Sequence, residues 1–385
     1  MAVLCRSCAG KLIFNPATQK LECAQCGNSY RPEDVEDFNS GLDTRYYDTR
    51  VYTCPQCGAE VITSDTEVST FCVYCGNPAI VFSRISKECR PDGIVPFKVT
   101  KEEAIKNIKK RFLNNPIVPK EIKAKCTPEN LRGIYVPYWI INADFTEADF
   151  ISGRVKKGKN SETEYFSRAG DVKFKNIPID GSNSLNDDIS RKLEPFYLED
   201  SKAFDEDYLN GFYSSASDLS LKDLRNSAAI RCHKLYEDEI VKTVTKASDV
   251  KIIDSIYWVD IHDDPVYMMM PVWFFTFKYQ DKPYTVLVNG QSGKVVGTMP
   301  WQKKKIWAIG ISVFLVVQLI ALLLTWAVIN NLLLISQFLA WGFVAIIVFS
   351  SYCSIRGFTG LKRILKNLEL TQSEAIFKYV KRRQG

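Results

Sequence analysis

Hydrophobic and polar residues alternate along much of the chain with the periods of helices and strands. Ala104, Ile105, Ile108 and Phe112 recur at helical spacing behind a capping box at Thr100-Lys-Glu-Glu103. A capping box followed by this period is typical of a helix start. The pattern therefore predicts a helix over residues 100–113.

Two further segments show apolar residues at every second position, each starting at a Trp two residues after a Pro. These residues are Trp139, Ile141, Ala143 and Phe145 in one segment and Trp273, Phe275, Phe277 and Tyr279 in the other. A period of two is typical of a half-buried strand. The second segment continues through the turn signal Asn289-Gly290, which predicts an antiparallel meander that ends near Val296.

Between these segments, strand-like pieces occur at 164–166 and 172–179, and a helical pattern covers the region from Leu219 to Leu235. Strands and helices do not alternate as they do in βαβ folds. The sequence therefore predicts an α+β fold that is rich in strands, with a topology that the pattern does not specify.

No Asp, Glu, Lys, Arg or His occurs between Lys305 and Arg356. Ile306–Ile329 and Leu332–Cys353 are each long enough to span a bilayer, and Asn330-Asn331 provides a polar turn between them. We therefore expect a transmembrane helical hairpin. Lys and Arg flank both ends and are missing from the turn, which predicts a two-pass protein of the cell membrane with both termini cytoplasmic.

The last segment of the chain is basic and shows apolar residues at helix-like intervals. Residues 356–385 contain eight Lys or Arg residues against Glu369 and Glu374. This pattern fits an amphipathic helix that binds anionic lipid of the inner leaflet, although a helix that packs on protein fits equally well.

Eight of the 12 cysteines form four Cys-x-x-Cys pairs near the start of the chain. They belong to two sets that repeat after 49 residues: Cys5, Cys8, Cys23 and Cys26, then Cys54, Cys57, Cys72 and Cys75. No signal peptide precedes them, so we expect a reducing compartment. Four thiolates suit a tetrahedral Zn²⁺, which predicts two zinc ribbons with one structural ion each.

Iron in a rubredoxin-like site, redox dithiols and disulfides are the alternatives to zinc. Cys89, Cys126, Cys232 and Cys353 have no partner at ligand spacing, and free buried thiols are the default for each. Neither His233 nor His262 lies in a catalytic motif, and no phosphate-binding or nucleophile motif stands in a fitting context. We therefore predict that the protein is not an enzyme and has no catalytic residues.

Charge argues against a nucleic-acid partner for the cysteine-rich head. Residues 1–80 contain six Lys or Arg and ten Asp or Glu. Two Zn(Cys)₄ sites would add further negative charge, and such a surface repels phosphates. The ribbons are therefore expected to bind proteins.

Several motifs of the chain resemble one family. They are the paired ribbons, Tyr135-Val-Pro-Tyr-Trp139, Leu193-Glu-Pro-Phe196, Pro271-Val-Trp273 and Val288-Asn-Gly-Gln-Ser-Gly-Lys-Val-Val-Gly297. The arrangement is similar to bacterial TFIIB-type zinc-ribbon-containing membrane proteins. This resemblance implies a membrane anchor that recruits phage-shock protein A-like or SPFH/flotillin-like proteins in envelope stress or membrane-domain organisation, and it implies zinc ligation by the eight ribbon cysteines.

These arguments divide the chain into six parts. They are zinc ribbon 1 at 1–40, zinc ribbon 2 at 41–88, a helical connector at 89–130, an α+β domain at 131–300, a two-helix transmembrane hairpin at 306–353 and a basic amphipathic cytoplasmic tail at 354–385. The leading hypothesis is a membrane-anchored, cytoplasm-facing zinc-ribbon adaptor, with oligomerisation left open.

Two alternatives come from other classes of protein. The first is a membrane-tethered nucleic-acid-binding or transcription-regulatory protein. The second is an enzyme with an unrecognised site within 130–300, for which Asp254, Asp260, Asp263 and Asp264 are the candidate acids. A cavity lined by several of these acids would be its clearest sign.

Overall fold

The structure is a computed structural model of the 385-residue chain. It describes residues 5–34, 46–56, 58–63, 72, 81–114, 118–158, 160–182, 187–262, 265–280, 282–297, 299–331, 348, 351–352 and 355–360.

Strands outnumber helices along the described part of the chain. In the first third of the chain the elements are β1 (Leu12–Asn15), β2 (Lys20–Cys23), β3 (Ser29–Tyr30), β4 (Tyr46–Thr53), β5 (Glu60–Thr63), β6 (Val81–Cys89), β7 (Gly93–Ile94), α1 (Lys101–Ile108) and α2 (Lys120–Lys125). The remainder are β8 (Leu131–Lys157), β9 (Asn160–Asp180), α3 (Asp187–Leu193), β10 (Lys202–Ala203), β11 (Tyr213–Ser214), α4 (Leu221–Ile240), β12 (Ser248–Ile261), β13 (Val266–Tyr279), β14 (Lys282–Asn289), β15 (Val295–Gly297) and α5 (Lys303–Asn331).

The strands form two sheets. β1, β2 and β3 make a small antiparallel sheet, and the other 12 described strands belong to one large sheet. The central strand of that sheet is the 27-residue β8, which pairs with β9 along one part of its length and with β12 and β13 along others. The β-rich α+β class predicted from the sequence is therefore confirmed.

Local predictions agree with the structure at several points. The Thr100 hydroxyl accepts from the backbone N–H of Glu103, whose carboxylate accepts from the N–H of Thr100, so the capping box is present at the start of α1. The meander exists as β13, β14 and β15. The strand-like pieces at 164–166 and 172–179 are parts of the single 21-residue strand β9.

The second half of β8 projects from the rest of the sheet as a three-stranded unit. We call it the extension: residues 143–157 of β8, with β9 on one side and β12 on the other. Fifteen residues of strand measure about 50 Å. One face of the extension is covered by α4, which packs Leu224, Ala228 and Tyr236 against the strands.

Buried residues form three clusters. One lies between the first small sheet, α1 and one side of the large sheet, and it includes Leu12, Phe14, Phe97, Tyr135 and Trp273. A second lies on the opposite side, around Tyr138 and Phe274. The third lies between the extension and α4, around Phe145 and Cys232. The apolar positions with a period of two therefore face buried cores, as predicted.

The predicted membrane hairpin needs correction. A membrane span requires about 20 consecutive apolar residues in one helix, and within the described part of the chain no helix combines that length with that apolarity. The helix predicted over 306–329 lies within α5, while the one predicted over 332–353 lies outside the described residues except for 348 and 351–352. The transmembrane hairpin was therefore a wrong prediction.

The predicted location in the cell membrane depended on the transmembrane hairpin. The two-pass cell-membrane location with cytoplasmic termini is therefore corrected, because no helix among the described residues meets the requirements of a span. Binding of anionic lipid by the basic tail stays a prediction. Of the predicted tail at 354–385, only residues 355–360 are described, and they are helical.

Candidate metal centre

The first four cysteines come together on two tight turns. Cys5 and Cys8 lie on the turn before β1, and Cys23 and Cys26 lie on the turn between β2 and β3. Their four sulfur atoms all lie within 4.8 Å of one another. The β1–β2 hairpin sets this geometry because it holds the two turns side by side. The first predicted ligand set is therefore assembled and is compatible with one metal site.

Both turns share one backbone conformation. In each, the N–H four residues after the first cysteine donates to that cysteine's carbonyl, at 2.8 Å for Ala9 and 3.0 Å for Gly27. These two residues are left-handed, with φ of 56° at Ala9 and 73° at Gly27. Glycine adopts this conformation without strain, whereas alanine pays for its Cβ. Gly27 therefore suits the left-handed position that follows Cys26.

The sulfur spacing fits a tetrahedral ion. The Sγ atoms of Cys5 and Cys26 are 3.5 Å apart, and so are those of Cys8 and Cys23. A tetrahedral site with Zn–S bonds of about 2.3 Å places its sulfurs about 3.8 Å apart. These two distances differ from that value by a few tenths of an ångström, and all six sulfur–sulfur distances are at most 4.8 Å. The four thiols are therefore compatible with such an ion.

Tyr30 adds an interaction at the edge of the tetrad. Its hydroxyl lies 3.4 Å from Cys5 Sγ and 3.1 Å from the Ser7 hydroxyl. The hydrogen bond from Tyr30 stabilises the thiolate and lowers the pKa of Cys5 to about 6. A thiolate at this position favours binding of a cation, because the thiolate is the form that ligates metals.

The second set of cysteines is described only in part. Cys54 and Cys72 are both buried, whereas Cys57 and Cys75 lie outside the described residues. The turn at Cys54 has the hydrogen bonds of the first set: Gly58 N–H donates to Cys54 O at 2.8 Å, and Cys54 N–H donates to Ala59 O at 2.9 Å. Gly58 is also left-handed, with a φ of 68°. The repeat seen in the sequence thus extends to this turn.

The first small sheet is attached to the large sheet through buried contacts. The Phe14 ring packs 5.2 Å from that of Tyr208, and its backbone N–H donates to Asn210 O at 3.1 Å. The Gln19 side chain donates to Phe97 O at 2.7 Å. Cys5 and Cys23 belong to the same buried cluster as Phe14. The tetrad therefore lies beside the core of the larger domain.

Two of the family-like motifs meet in the structure. The Asn289 side chain donates to Leu193 O at 2.9 Å and to Pro195 O at 3.2 Å. The Gln291 side chain donates to Tyr197 O at 2.8 Å and accepts from Tyr197 N–H at 2.8 Å. The Asn-Gly-Gln-Ser-Gly loop is therefore a turn that holds the segment after Leu193, as its hairpin context predicts.

The remaining cysteines differ in their surroundings. Cys126 and Cys232 are buried free thiols, as expected, and burial raises the pKa of each to about 11. Cys89 is exposed, which corrects the expectation of a buried thiol. It ends β6 at the sheet's edge, where β6 pairs only with β4 among the described strands. Cys353 lies outside the described residues.

Of the candidate acids, only Asp254 and Asp260 lie within the described residues, and they do not line one groove together. Asp254 and Asp260 are exposed on β12, and Asp254 lines a shallow groove with Phe150 and Ile256. Asp260 is absent from the described lining of that groove, and Asp263 and Asp264 lie outside the described residues.

Sequence reasoning missed a buried acidic pair beneath α4. Glu147 and Asp149 face α4 from β8, and both are almost fully buried. His233 Nδ1 lies 2.9 Å from Glu147 Oε2. The alternation that ends at Phe145 continues through these two positions, so the same period of two would have placed them inside.

Comparison with known proteins finds a similarity to a bacterial protein. The chain is similar to the uncharacterized protein YdjG of Bacillus subtilis (strain 168), at 26% identity over 343 residues that cover 83% of this chain and 97% of that protein. No family model matches the chain. No solved structure matches it. The comparisons therefore give no family evidence for the TFIIB-type zinc-ribbon class or for the envelope-stress role that the resemblance implied.

Proposed function

We propose that this protein is a zinc-stabilised adaptor that binds other proteins. The observation that carries the proposal is the convergence of the Cys5, Cys8, Cys23 and Cys26 sulfurs within 4.8 Å. Four cysteine ligands complete a tetrahedral zinc shell and leave no open position for water or substrate. A closed site of this kind stabilises a fold.

The first small sheet, which carries the tetrad, is packed on the large domain. This packing supports an adaptor with a fixed binding surface over a zinc module that moves independently. Leu12, Phe14 and Leu21 are buried in the cluster that also contains Trp273. Zinc bound at the tetrad therefore fixes the position of the head on the large domain. A head held in one orientation presents a fixed surface, which lowers the entropy lost when a partner binds.

We propose a second zinc at Cys54, Cys57, Cys72 and Cys75. The supporting observation is the shared turn at Cys54, together with the burial of Cys54 and Cys72. This proposal names zinc and not iron, because a closed four-cysteine site that only stabilises a fold needs no redox chemistry, and zinc has none. The acidic character of residues 1–80 favours protein over nucleic acid as the partner.

Metal analysis of the purified full chain tests the zinc sites. We expect two zinc ions per chain by mass spectrometry, and cobalt substitution that gives the thiolate-to-cobalt charge-transfer bands of a four-cysteine site. Cys8→Ser should lower the zinc content to one ion. Cys89→Ser is the matched control, because Cys89 is also exposed but belongs to neither set. Iron in place of zinc, or an unchanged zinc content in Cys8→Ser, would contradict the proposal.

Crosslinking in cells of the native host tests the adaptor role. Neighbours of the wild-type chain are identified by mass spectrometry and compared with those of Cys8→Ser and Cys89→Ser. We expect protein neighbours that are retained by Cys89→Ser and lost by Cys8→Ser. The same neighbours in all three samples, or recovery of nucleic acid in their place, would refute the adaptor role.

A further inference from the structure

The extension has one covered face and one open face. On the covered side, Phe145 packs under α4, with the Tyr236 ring 5.5 Å from the Phe145 ring, and Ile151 on the same side of β8 is fully buried. The residues of β8 between these inward positions, such as Phe150, point to the side of the sheet away from α4, because side chains alternate across a strand. No element among the described residues covers this second side, which we call the open face.

Large apolar side chains occupy the centre of the open face. Ile256 and Trp258 of β12 are 77% and 76% exposed. They lie opposite Ala148 and Thr146 of β8. Phe150 and Tyr165 continue the patch toward β9, with their rings stacked 5.5 Å apart. Four exposed large side chains that share one face mark an interaction site more often than a free surface.

Aspartates surround this apolar patch. Asp254 and Asp260 lie on the same side of β12 as Ile256, and Asp144 lies directly opposite Asp260 on β8. Asp171 of β9 accepts a hydrogen bond from the Thr146 hydroxyl at 2.6 Å. Two aspartates at opposed positions of neighbouring strands repel each other. A partner with positive charge would relieve that repulsion.

Nearby bases offset these aspartates only in part. His262 Nε2 lies 3.6 Å from Asp144 Oδ2, and Lys173 lies opposite Asp144 on β9. Lys251 of β12 lies opposite Ser152, and Arg154 and Lys156 lie further along β8, so these three bases are toward the tip of the extension. The part of the open face around Ile256 and Trp258 is therefore acidic.

The width of the open face fits one helix. Three strands spaced about 4.8 Å apart give about 10 Å between the outer strand axes, which equals the diameter of an α-helix with its side chains. α4 occupies the opposite face in this manner, over the same three strands. A helix on the open face would complete a helix–sheet–helix sandwich, a common layer arrangement.

We propose that the open face of the extension binds an amphipathic helix of a partner protein, with an apolar stripe flanked by Lys and Arg. The stripe would cover Phe150, Tyr165, Ile256 and Trp258, and the basic side chains would pair with the surrounding aspartates. This inference rests on the proposed adaptor function and adds the surface and the chemistry of the partner.

Peptide binding to the full chain tests the chemistry. The probe is a fluorescein-labelled 18-residue helical peptide with Leu at positions i, i+3, i+4 and i+7 of each repeat and Lys elsewhere, measured by fluorescence anisotropy. A second peptide carries Glu in place of Lys. We expect binding of the Lys peptide that weakens with added salt, and at least about tenfold weaker binding of the Glu peptide. Equal binding of both peptides would overturn the proposal.

Variants of the open face locate the binding. The double variant Ile256→Thr, Trp258→Thr removes the two most exposed apolar side chains of the open face, while threonine keeps a high propensity for strands. We expect it to bind the Lys peptide at least about tenfold more weakly than wild type. The matched control is Ile230→Gln, which removes an exposed apolar residue of α4 elsewhere. Circular dichroism and zinc content confirm that each variant is folded. Equal loss of binding in the control, or no loss in the open-face variant, would contradict the assignment.

Photocrosslinking in cells identifies the natural occupant. A benzoylphenylalanine is placed at position 256, and the crosslinked peptide is sequenced. We expect a basic amphipathic segment of another protein. Crosslinks that join two copies of this chain, or crosslinks to lipid, would overturn the proposal. If crosslinking elsewhere shows neighbours that depend on Cys8 while position 256 gives none, the adaptor role stands and only the open-face assignment fails.

Discussion

His233 Nδ1 lies 2.9 Å from Oε2 of Glu147, in the interface between α4 and the extension. His233 stacks on Tyr257, with ring centroids 4.5 Å apart. The other Glu147 oxygen and both Asp149 oxygens are buried and have no hydrogen-bond partner among the described residues. The Asp149 carboxyl, at the neighbouring inward position of the same strand, disfavours ionisation of Glu147. Burial, opposed in part by the hydrogen bond from His233, raises the pKa of Glu147 to about 7.

The pKa of Glu147 predicts that the fold loses stability as the pH rises toward 8. The folded pKa of about 7 exceeds the ordinary value of 4.5, so the folded state binds the proton more tightly than the unfolded state does. The resulting stabilisation is complete below pH 4.5 and is lost as the pH rises through 7. Its slope is at most about 1.4 kcal/mol per pH unit.

Denaturant unfolding between pH 5 and pH 8 measures this effect. Glu147→Gln keeps an oxygen that accepts from His233 but cannot ionise, so we expect its free energy of unfolding to fall less than that of wild type over this range. Asp149, Tyr236, Tyr257 and His233 also face this site and are the same in both proteins. Glu237→Gln, near His233 but partly exposed, is the control and should follow wild type. Parallel pH profiles for wild type and Glu147→Gln would show that the prediction is wrong.

The sequence predicted local features well and their assembly less well. Repeat spacing identified the Cys5 tetrad, and periodicity placed Phe145 and Trp273 in cores, because ligand spacing and side-chain alternation depend on local geometry. The extension could not be predicted, since the pairing of β8 with β12 joins residues about 100 apart in sequence. Glu147 and Asp149 were missed because a search for catalytic motifs does not consider acids on an apolar face.

Apolar content alone gave the wrong result for the C-terminal part. The uncharged run after Lys305 predicted two spans, yet the described residues include no helix that meets the requirements of a membrane crossing. Of the second predicted span, 332–353, only residues 348 and 351–352 lie in the described part of the chain.

Removal of zinc is expected to destabilise the first small sheet before the large domain. β1, β2 and β3 have only two to four residues each. Beyond the packing of this sheet on the large domain, metal binding at the proposed zinc site therefore supplies much of its folding free energy, on the order of several kcal/mol. Treatment of the full chain with a strong chelator should therefore expose residues 5–34 to protease while residues 131–297 stay protected. Limited proteolysis with mass spectrometry measures this. Readdition of zinc is the control and should restore protection. Equal cleavage of both regions would indicate one cooperative unit.

The packing of Phe14 is expected to contribute to the stability of the chain by joining the first small sheet to the large domain. Its ring is buried against Tyr208 and lies 6.5 Å from the Phe212 ring. Removal of a buried Phe side chain costs about 3–5 kcal/mol. Phe14→Ala should therefore lower the free energy of unfolding of the zinc-bound chain by about that amount in denaturant titrations, with zinc content unchanged. Ile13→Ala, at the neighbouring half-buried position of β1, is the control and should cost less. Equal losses for both variants would contradict a specific role for Phe14.

Ala9 and Gly27 occupy the same position in the two turns of the tetrad, which predicts opposite effects of exchanging them. Ala9 is left-handed with a φ of 56°, a conformation that costs an alanine roughly 1–2 kcal/mol. Ala9→Gly removes that strain but adds freedom to the unfolded chain, so we expect a net gain of about 0.5 kcal/mol. Gly27→Ala introduces the strain, and because no atom lies within 4 Å of the added Cβ, the expected loss of about 1 kcal/mol is conformational.

Unfolding of the zinc-bound chain and competition with a zinc chelator measure both exchanges. Zinc should be bound more tightly by Ala9→Gly than by wild type, and more weakly by Gly27→Ala. Gly158→Ala is the control outside the tetrad: it is also left-handed, with a φ of 64°, and its added Cβ also meets nothing within 4 Å. It should lower the stability of the chain to a similar degree without changing the affinity for zinc. A change in zinc affinity with the same sign in Ala9→Gly and Gly27→Ala would show that turn strain does not control binding at the tetrad.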